Sequence, residues 1–280
     1  MIRLPCQAGA FYAGSLTSLQ KQIEECFLHR LGPQRLPQVG AGSRTLLSLV
    51  SPHAGYMYSG PVAAHGYFFA ALDGRPDTFI ILGPNHTGYG SGVSIMVKGT
   101  WKTPLGDVTI DNNLAQLIQR NSELIDIDDS AHKFEHSIEV QLPFLQYVYG
   151  TSFKFIPICM MMQDLETSRD VGEAIAQAIR GKNAVIIAST DMSHYVSQDQ
   201  AKIQDRYAIE AMRRLDAAEL QSTVETHHIS MCGYGPVSAA IIASKQLGAS
   251  RSQLLSYQTS GDISGDLFHV VGYASMAITT

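Results

Sequence analysis

The sequence has little of what marks exported, membrane-spanning or nucleic-acid-binding proteins. Its four cysteines in 280 residues follow no paired spacing, and no apolar run approaches the roughly 18 residues of a membrane span. The net charge is −5, and there is no basic stripe that would attract nucleic acid. The start at Met1 lacks the long apolar segment of a signal peptide. We therefore expect a cytoplasmic protein with reduced thiols that binds neither a membrane nor nucleic acid.

The residues that are present suffice for a large folded core. Apolar residues make up 45% of the chain and charged residues 16%, which is typical of a globular protein and not of a disordered one. There is no internal repeat, and the Gly- and Pro-rich stretch 32–42 is interpreted as a surface loop. Strand patterns alternate with helix patterns, which predicts one α/β domain over residues 1–280. We expect a mixed, mainly parallel central sheet with helices on both faces.

Three short apolar runs share one arrangement. Each is rich in β-branched residues, lacks polar alternation and is followed by a loop of small residues that contains a histidine. The runs are 46–50, 79–82 and 184–188, and their histidines are His53, His86 and His194. Such runs are typical of strands buried on both faces of a parallel sheet. Because ligands bind beyond the carboxyl ends of these strands, we expect the three histidines to form one site.

The remaining elements are predicted from periodicity, caps and breakers. Ser15 or Thr17 is expected to cap the first helix, and Pro61 to lie in the first turn of the second. Pro143 is expected to kink or split a helix that begins near Ser137. The other predicted helices span 111–120, 165–180, 198–215, 217–226 and 237–247, and the other strands span 92–97, 106–110, 153–159, 253–258 and 267–277.

Two of the histidines indicate a metal site. His53 and His86 follow consecutive β-units, and neutral imidazole is the commonest protein metal ligand. A shared metal is therefore favoured over the alternative that each histidine caps its own turn. His194 follows Asp191 by three residues and is interpreted as a third ligand, a general acid or base, or part of a surface loop pair. Asp191 could orient an imidazole, as carboxylates beside metal ligands do.

Cys232 differs from the other cysteines because it precedes a predicted helix among glycines. A helix N-terminus favours the thiolate and lowers the pKa of a thiol, and the thiolate attacks carbonyls or binds metal. The alternative is a buried structural cysteine, the usual state of a free thiol. The glycines favour a functional role for Cys232, and the other three cysteines are interpreted as structural.

A short motif at residues 132–136 matches the H-x-x-E-H pattern of inverted zinc peptidases. That pattern requires both histidines on one helix, whereas this helix is predicted to begin after His136. His132 would then lie outside it, which disfavours a peptidase site. Glu135, His136 and Glu139 are still expected to line the same cleft as the three strand-end histidines.

These motifs, in this order, resemble those of the Memo family, whose prokaryotic members are also called AmmeMemoRadiSam system protein B. The resemblance runs nearly end to end. It rests on Pro52–Tyr56, on Ile81–His86, on Glu135–Glu139 with Leu142 and Pro143, on Ser189–His194, and on Cys232 with Gly233. Ala8–Tyr12 is similar to the opening motif of that family, with Phe11 where the family has tryptophan.

The resemblance implies a fold similar to that of class III extradiol ring-cleaving dioxygenases. In those enzymes two histidines and a glutamate bind non-haem Fe(II), and a further histidine acts as acid or base. His53 and His86 match the two metal histidines, and His194 matches the region of the catalytic one. Cys232 stands where Memo proteins carry a metal-binding cysteine, which departs from the dioxygenase pattern. The family name also implies a functional link to a radical-SAM protein, and animal members are described as adaptors with a copper-dependent redox activity.

The leading hypothesis is a metal-dependent redox or dioxygenase-like protein that holds iron or copper. The metal ligands would be His53, His86 and Cys232. The catalytic residues would be His194 and Asp191. The residues that order the ligands or touch the substrate would be Glu135, His136 and Tyr56. The substrate or partner would be an unidentified small molecule or peptide.

Two alternatives remain open. The first is a binding protein that holds a peptide or small molecule in a vestigial cleft without turnover. The second is a hydrolase in which Cys232 is the nucleophile, His194 the base and Asp191 the residue that orients the base.

Overall fold

The computed structural model describes residues 1–280, which form twelve strands and nine helices. The strands are β1 (Ile2–Arg3), β2 (Leu46–Ser51), β3 (Thr78–Pro84), β4 (Val93–Ile95), β5 (Thr100–Thr103), β6 (Gly106–Ile110), β7 (Asp126–Ile127), β8 (Lys154–Met160), β9 (Ala184–Ser189), β10 (His194–Val196), β11 (Arg251–Thr259) and β12 (Val270–Thr279). The helices are α1 (Leu16–Leu28), α2 (Tyr56–Asp73), α3 (Asn112–Arg120), α4 (Leu142–Tyr149), α5 (Leu165–Ile179), α6 (Gln198–Arg213), α7 (Ala217–Thr226), α8 (Tyr234–Gln246) and α9 (Gly261–Ser264). Short 3₁₀ turns lie at Ser130–His132 and Glu139–Gln141.

All twelve strands belong to one mixed sheet, which confirms the predicted fold class. Five neighbouring strands, in the order β6, β8, β3, β9 and β2, are parallel to one another. Antiparallel pairs flank them, because β5 runs against β6 on one side and β12 runs against β2, β10 and β11 on the other. The parallel centre arises because β3, β8 and β9 are buried on both faces and the connections between its strands cross over through helices.

The register of the sheet brings the three histidine-bearing strand ends together. Strands β3, β9 and β2 are direct neighbours, and Ala188 pairs with Leu82 on one side and with Val50 on the other. Parallel strands end at the same edge, so the loops after β2, β3 and β9 meet there. This is the convergence that the sequence predicts for His53 and His86.

Two groups of helices enclose the sheet. Helices α5 and α8 pack on each other and α8 packs on the parallel strands, whereas α1, α2 and α4 form a separate group against β2, β11 and β12. A single core cluster of 72 buried residues joins these layers. No helix combines the length and the apolarity that a membrane crossing requires.

Of the two proline predictions, the one for Pro61 was wrong and the one for Pro143 was confirmed. Helix α2 begins at Tyr56 rather than at Pro61, which lies inside it. The Tyr56 amide donates to the Phe11 carbonyl at 2.8 Å. This contact with a distant segment gives a partner to one of the N–H groups that the first turn of a helix leaves unpaired. The segment that begins near Ser137 is split, as expected, into the 3₁₀ turn Glu139–Gln141 and α4. Pro143 lies in the first turn of α4, where its missing N–H costs nothing.

Four short strands were not predicted, namely β1, β5, β7 and β10. His194 lies in the short strand β10, where it pairs with Val271 of β12. The loop 260–265 also contains the single-turn helix α9. Both elements depend on contacts across the tail of the chain, which local periodicity does not reveal.

Candidate metal centre

Three side chains from separate loops meet at the carboxyl edge of the sheet. One ligand atom from each of His53, His86 and Cys232 lies within 4.8 Å of the others. The Sγ atom of Cys232 is 3.3 Å from Nε2 of His53. Two ligands bonded to a tetrahedral ion at about 2.0 Å (nitrogen) and 2.3 Å (sulfur) would lie about 3.5 Å apart. The observed separation therefore fits a nitrogen and a sulfur ligand sharing one ion.

His53 is buried and its ring is held from the side away from the cysteine. Its Nδ1 lies 2.9 Å from the Ser189 hydroxyl at the end of β9. Burial lowers the pKa of His53 well below its usual value, and the neighbouring His136, His86 and His194 lower it further. The ring is therefore neutral near pH 7 and has a lone pair available for a metal ion.

His86 is held by a carboxylate. Its Nδ1 donates to Oε1 of Glu135 at 2.9 Å, and its amide donates to Oε2 at 2.6 Å. Burial alone would raise the pKa of Glu135, but the His86 hydrogen bond, the charges of His86 and His136 and the Ser137 amide lower it to about 2. The carboxylate is therefore charged at neutral pH. It fixes Nδ1–H on His86 and leaves Nε2 free to bind metal.

Cys232 lies just before α8, as predicted, but its thiol is not activated. Burial and the Asp191 carboxylate raise the pKa of the thiol, which outweighs the amide of Asp191 that donates to Sγ at 3.1 Å. The expected lowering by the helix N-terminus is wrong because the sulfur is desolvated. A Cβ on Gly233 would clash with the Ser189 carbonyl, so only glycine lets this loop approach β9.

Asp191 is buried beside the cluster. Its Oδ1 accepts the main-chain N–H of His53 at 2.9 Å, and Oδ2 lies 3.9 Å from Nε2 of the same residue. Burial raises the pKa of Asp191 to about 6, although the His53 amide and the charges of His194 and His86 act in the opposite direction. The expectation that Asp191 orients an imidazole ring takes a different form in the structure. Its hydrogen bond holds the backbone of the His53 loop.

His194 lies outside the three-ligand cluster and is half-buried. Its Nδ1 lies 2.8 Å from the Ser230 carbonyl, and its amide donates to the Ser230 hydroxyl at 2.7 Å. A carbonyl only accepts, so Nδ1 carries a proton and Nε2 is free to accept one. This arrangement suits proton transfer better than structural support.

The other predicted site residues separate into two groups. His136 belongs to the site, because its ring stacks on His86 at 4.6 Å and meets His53 edge-on at 5.4 Å. Tyr56 does not face the site, because its hydroxyl donates to the Val140 carbonyl at 2.6 Å and its side chain is buried in the core. Glu139 does not line the cleft either, since it is buried against the N-terminal segment.

A second acidic and histidine set, His86, Glu135 and His136, overlaps the first. The Glu135 oxygens already accept the amides of His86, His136 and Ser137 as well as the His86 ring. The carboxylate is therefore used in hydrogen bonds. His132 is fully buried and packs against Trp101, which agrees with the predicted absence of an H-x-x-E-H peptidase site.

Sequence reasoning missed Ser189 and Gln141, which lie behind His53. Ser189 is the last residue of β9, and Gln141 ends the 3₁₀ turn before α4. The sequence offered two weak signals. Ser189 is a hydroxyl residue that ends a buried strand, and Gln141 is an amide residue within the 135–143 motif. Neither signal indicates a partner 136 residues away along the chain.

Comparison with known proteins agrees with the motifs. A family model described as "Memo-like protein" matches residues 3–277. The chain is 53% identical over 278 residues to a MEMO1 family protein of Methanopyrus kandleri, covering 99% of this chain and 98% of that protein. It is 51% identical to a MEMO1 family protein of Methanothermobacter thermautotrophicus over 279 residues, or 99% of this chain and 100% of the relative.

A solved structure shares the fold at much lower sequence similarity. It is an uncharacterized protein of Escherichia coli K12, with a TM-score of 0.53 and 12% identity. The match covers 82% of this chain and 99% of that one. At this identity the likeness concerns the fold alone.

Proposed function

The chain belongs to the Memo family, and we propose that it is a metal-dependent redox protein whose ion is bound by His53, His86 and Cys232. One observation supports this most strongly. Both histidines have their Nδ1 atoms engaged by protein groups, Ser189 and Glu135, so each has Nε2 free beside the cysteine sulfur. Two imidazoles fixed in this way beside a thiol are a typical metal-binding arrangement.

The donor set favours a transition metal that accepts both nitrogen and sulfur. Imidazole suits iron, copper and zinc, and thiolate shifts the preference toward softer ions, copper(I) and zinc among them. Iron or copper would supply one-electron redox and oxygen chemistry at this position. The cysteine in place of a carboxylate distinguishes the site from the two-histidine, one-carboxylate pattern of oxygenases.

His194 and Asp191 would handle protons around the ion. Nε2 of His194 is left free by the Ser230 contact and could accept a proton and return it, as a catalytic histidine does. The buried Asp191 carboxyl, with a pKa raised to about 6, is able to exchange a proton near neutral pH. The substrate would be a small molecule or a peptide segment.

The hydrolase alternative finds little support in the geometry. The imidazole beside Cys232 is His53, at 3.3 Å, and not His194. Asp191 binds the backbone of the His53 loop and does not orient His194. The raised pKa of the thiol also disfavours a nucleophile at neutral pH.

Oxygen uptake tests the redox proposal. We expect protein loaded anaerobically with Fe(II) or Cu(I) to consume oxygen with a catechol or a reductant such as ascorbate, above the rate of the free ion. His194→Gln should lower turnover about 100-fold or more at unchanged metal content, because general acid–base catalysis contributes roughly that much. An oxygen electrode and parallel metal analysis measure both quantities.

The surface variant His227→Gln is the matched control, since His227 stacks on Tyr207 at the end of α7, away from the cluster. It should behave like the wild type. Metal-replete protein that consumes no oxygen with any phenol or reductant would contradict the redox proposal. It would favour the non-catalytic binding role.

A further inference from the structure

We propose that Ser189, Gln141 and Tyr67 form a buried chain of hydrogen bonds that fixes the tautomer of His53. The chain would keep the proton on Nδ1 and present Nε2 as an unprotonated ligand. These three are positioning residues, because they act through His53 and do not reach the ligand cluster themselves. The hydrogen bonds and the His53 tautomer do not require a bound ion. Their effect on metal affinity rests on the proposed function.

The Ser189 hydroxyl is the central atom of the chain. It lies 2.6 Å from the Ser137 carbonyl, 2.7 Å from Nε2 of Gln141 and 2.9 Å from Nδ1 of His53. A hydroxyl has one proton to donate and two lone pairs to accept with. The Ser137 carbonyl only accepts, so the Ser189 proton must point to it. Ser189 then accepts from Gln141 and from His53, which requires a proton on Nδ1 of His53.

The Gln141 amide is oriented by two further contacts. Its Nε2 donates to the Pro52 carbonyl at 3.0 Å, and its Oε1 accepts the Tyr67 hydroxyl at 2.5 Å. A carbonyl oxygen cannot pair with another carbonyl oxygen, so the amide nitrogen must face Pro52 and Ser189. The donor and the acceptor of every hydrogen bond from Tyr67 to His53 are therefore determined. The Gln141 side chain cannot be turned over, because its oxygen would then face the Pro52 carbonyl.

The residues of this hydrogen-bond chain are shielded from water. Tyr67 and Ser189 are fully buried and Gln141 is 1% exposed. Buried polar groups must find partners within the protein. If His53 carried its proton on Nε2, the contact between its Nδ1 and the Ser189 hydroxyl would have no proton, because Ser189 already donates to the Ser137 carbonyl. It would also direct an N–H at the Cys232 sulfur, 3.3 Å away, where a metal would otherwise bind.

The two metal histidines are held by partners of different charge. Glu135 offers His86 a charged acceptor, whereas Ser189 offers His53 a neutral hydroxyl. Outer contacts of this kind fix the ring and its tautomer, and they tune ligand strength. We infer that the Ser189 chain sets orientation at His53 without adding negative charge to the site.

Long-range ¹H–¹⁵N correlation of the histidine rings tests the chain in metal-free protein. We expect wild-type His53, assigned through loss of its signals in His53→Gln, to carry its proton on Nδ1. Ser189→Ala should abolish this preference, so that the Nε2–H form becomes populated. Ser189→Thr keeps the hydroxyl and should restore Nδ1–H.

The matched control is Ser48→Ala. Ser48 is a fully buried serine on β2 whose hydroxyl pairs with Ser244 outside the site. It should leave the His53 signals unchanged. A wild-type His53 protonated on Nε2, or a tautomer unaffected by Ser189→Ala, would overturn the proposal. If Ser189→Ala fails to fold, the wild-type spectrum alone decides.

A second readout links the chain to the ion. Zinc affinity, measured by competition with a chelator, should fall about 10–100-fold in Ser189→Ala and recover in Ser189→Thr. Wild-type protein that binds no zinc, copper or iron but shows Nδ1–H on His53 would reject the proposed metal function and retain the positioning chain. Undiminished zinc affinity in a folded Ser189→Ala variant would reject the role of the chain in metal binding.

Discussion

Metal binding is expected to be lost in His53→Ala and Cys232→Ser, while both variants remain folded. Loss of an outer contact alone lowers metal affinity about 10–100-fold, so loss of a ligand should exceed about 100-fold. His53→Ala removes a nitrogen ligand, and Cys232→Ser replaces the sulfur with a hydroxyl of nearly the same shape. Calorimetric titration with zinc or anaerobic Cu(I) measures the loss, and circular dichroism reports folding.

The pH dependence of metal affinity shows whether Cys232 binds the ion as a thiolate or is only a neighbouring thiol. Burial and Asp191 raise the pKa of Cys232, so the free thiol keeps its proton through the neutral range. A metal bound by the sulfur must displace that proton, and affinity should rise about tenfold per pH unit between pH 7 and 9. His53 has a lowered pKa and adds no slope in this range. Cys232→Ser should lose the slope, and metal retained at full affinity in His53→Ala would contradict the ligand assignment.

Glu139→Ala is expected to lower the free energy of unfolding by about 3–5 kcal/mol, the usual cost of breaking a buried ion pair. Glu139 accepts Nη1 of Arg3 at 2.6 Å and the Tyr12 hydroxyl at 2.6 Å, together with the Cys6 and Gln7 amides. Its removal leaves the Arg3 charge, 5% exposed in its side chain, without a charged partner. Urea titration monitored by fluorescence measures the change.

A double variant distinguishes the ion pair from a general packing effect. Arg3→Met combined with Glu139→Leu removes both charges and should recover much of the stability lost in Glu139→Ala. Glu25→Ala breaks the exposed Lys21–Glu25 pair on α1 and should have little effect. A Glu139→Ala protein as stable as the wild type would show that the N-terminal segment contributes little to the fold.

The stability from Glu139 also has a pH signature. Burial would raise the pKa of Glu139, but Arg3, the Cys6 amide and the Tyr12 hydroxyl lower it overall. A carboxyl with a depressed folded-state pKa stabilises the fold above its unfolded pKa and loses that contribution as the pH falls through the folded value. The difference between wild type and Glu139→Ala should therefore be present at neutral pH and shrink in strong acid.

The N-terminal segment contacts the candidate metal centre through Arg3 and Glu139. Arg3 also donates to the carbonyls of His132 and Glu135 at 2.7 Å each. It therefore fixes the loop whose Glu135 carboxylate binds the His86 ring. A variant that weakens the Arg3–Glu139 pair should therefore weaken metal binding as well as stability.

Local patterns predicted the framework of the site. Buried runs without alternation predicted parallel strands, and the rule that parallel strands end at one edge placed His53 beside His86. That rule depends only on strand direction, which the alternation of strands and helices reveals. The Asp191–His194 segment was likewise expected near the site, and both residues lie beside the ligand cluster.

The chemistry of individual side chains was less predictable because it depends on burial and distant partners. Cys232 was expected to have a lowered pKa, but desolvation by the surrounding loops reverses the shift. Tyr56 was expected at the site, but the earlier start of α2 turns its side chain into the core. The partner of the His53 ring is Ser189, 136 residues away, and no local pattern reveals such a pairing.

X-ray absorption at the zinc edge tests the central claim most directly. The zinc-loaded protein is predicted to show imidazole nitrogens at about 2.0–2.1 Å and one sulfur at about 2.3 Å. The sulfur shell should disappear in Cys232→Ser, and the imidazole scattering should decrease in His86→Ala. A zinc-replete protein without a sulfur shell, or a wild type that retains no metal after loading, would contradict the assignment of His53, His86 and Cys232 as one metal centre.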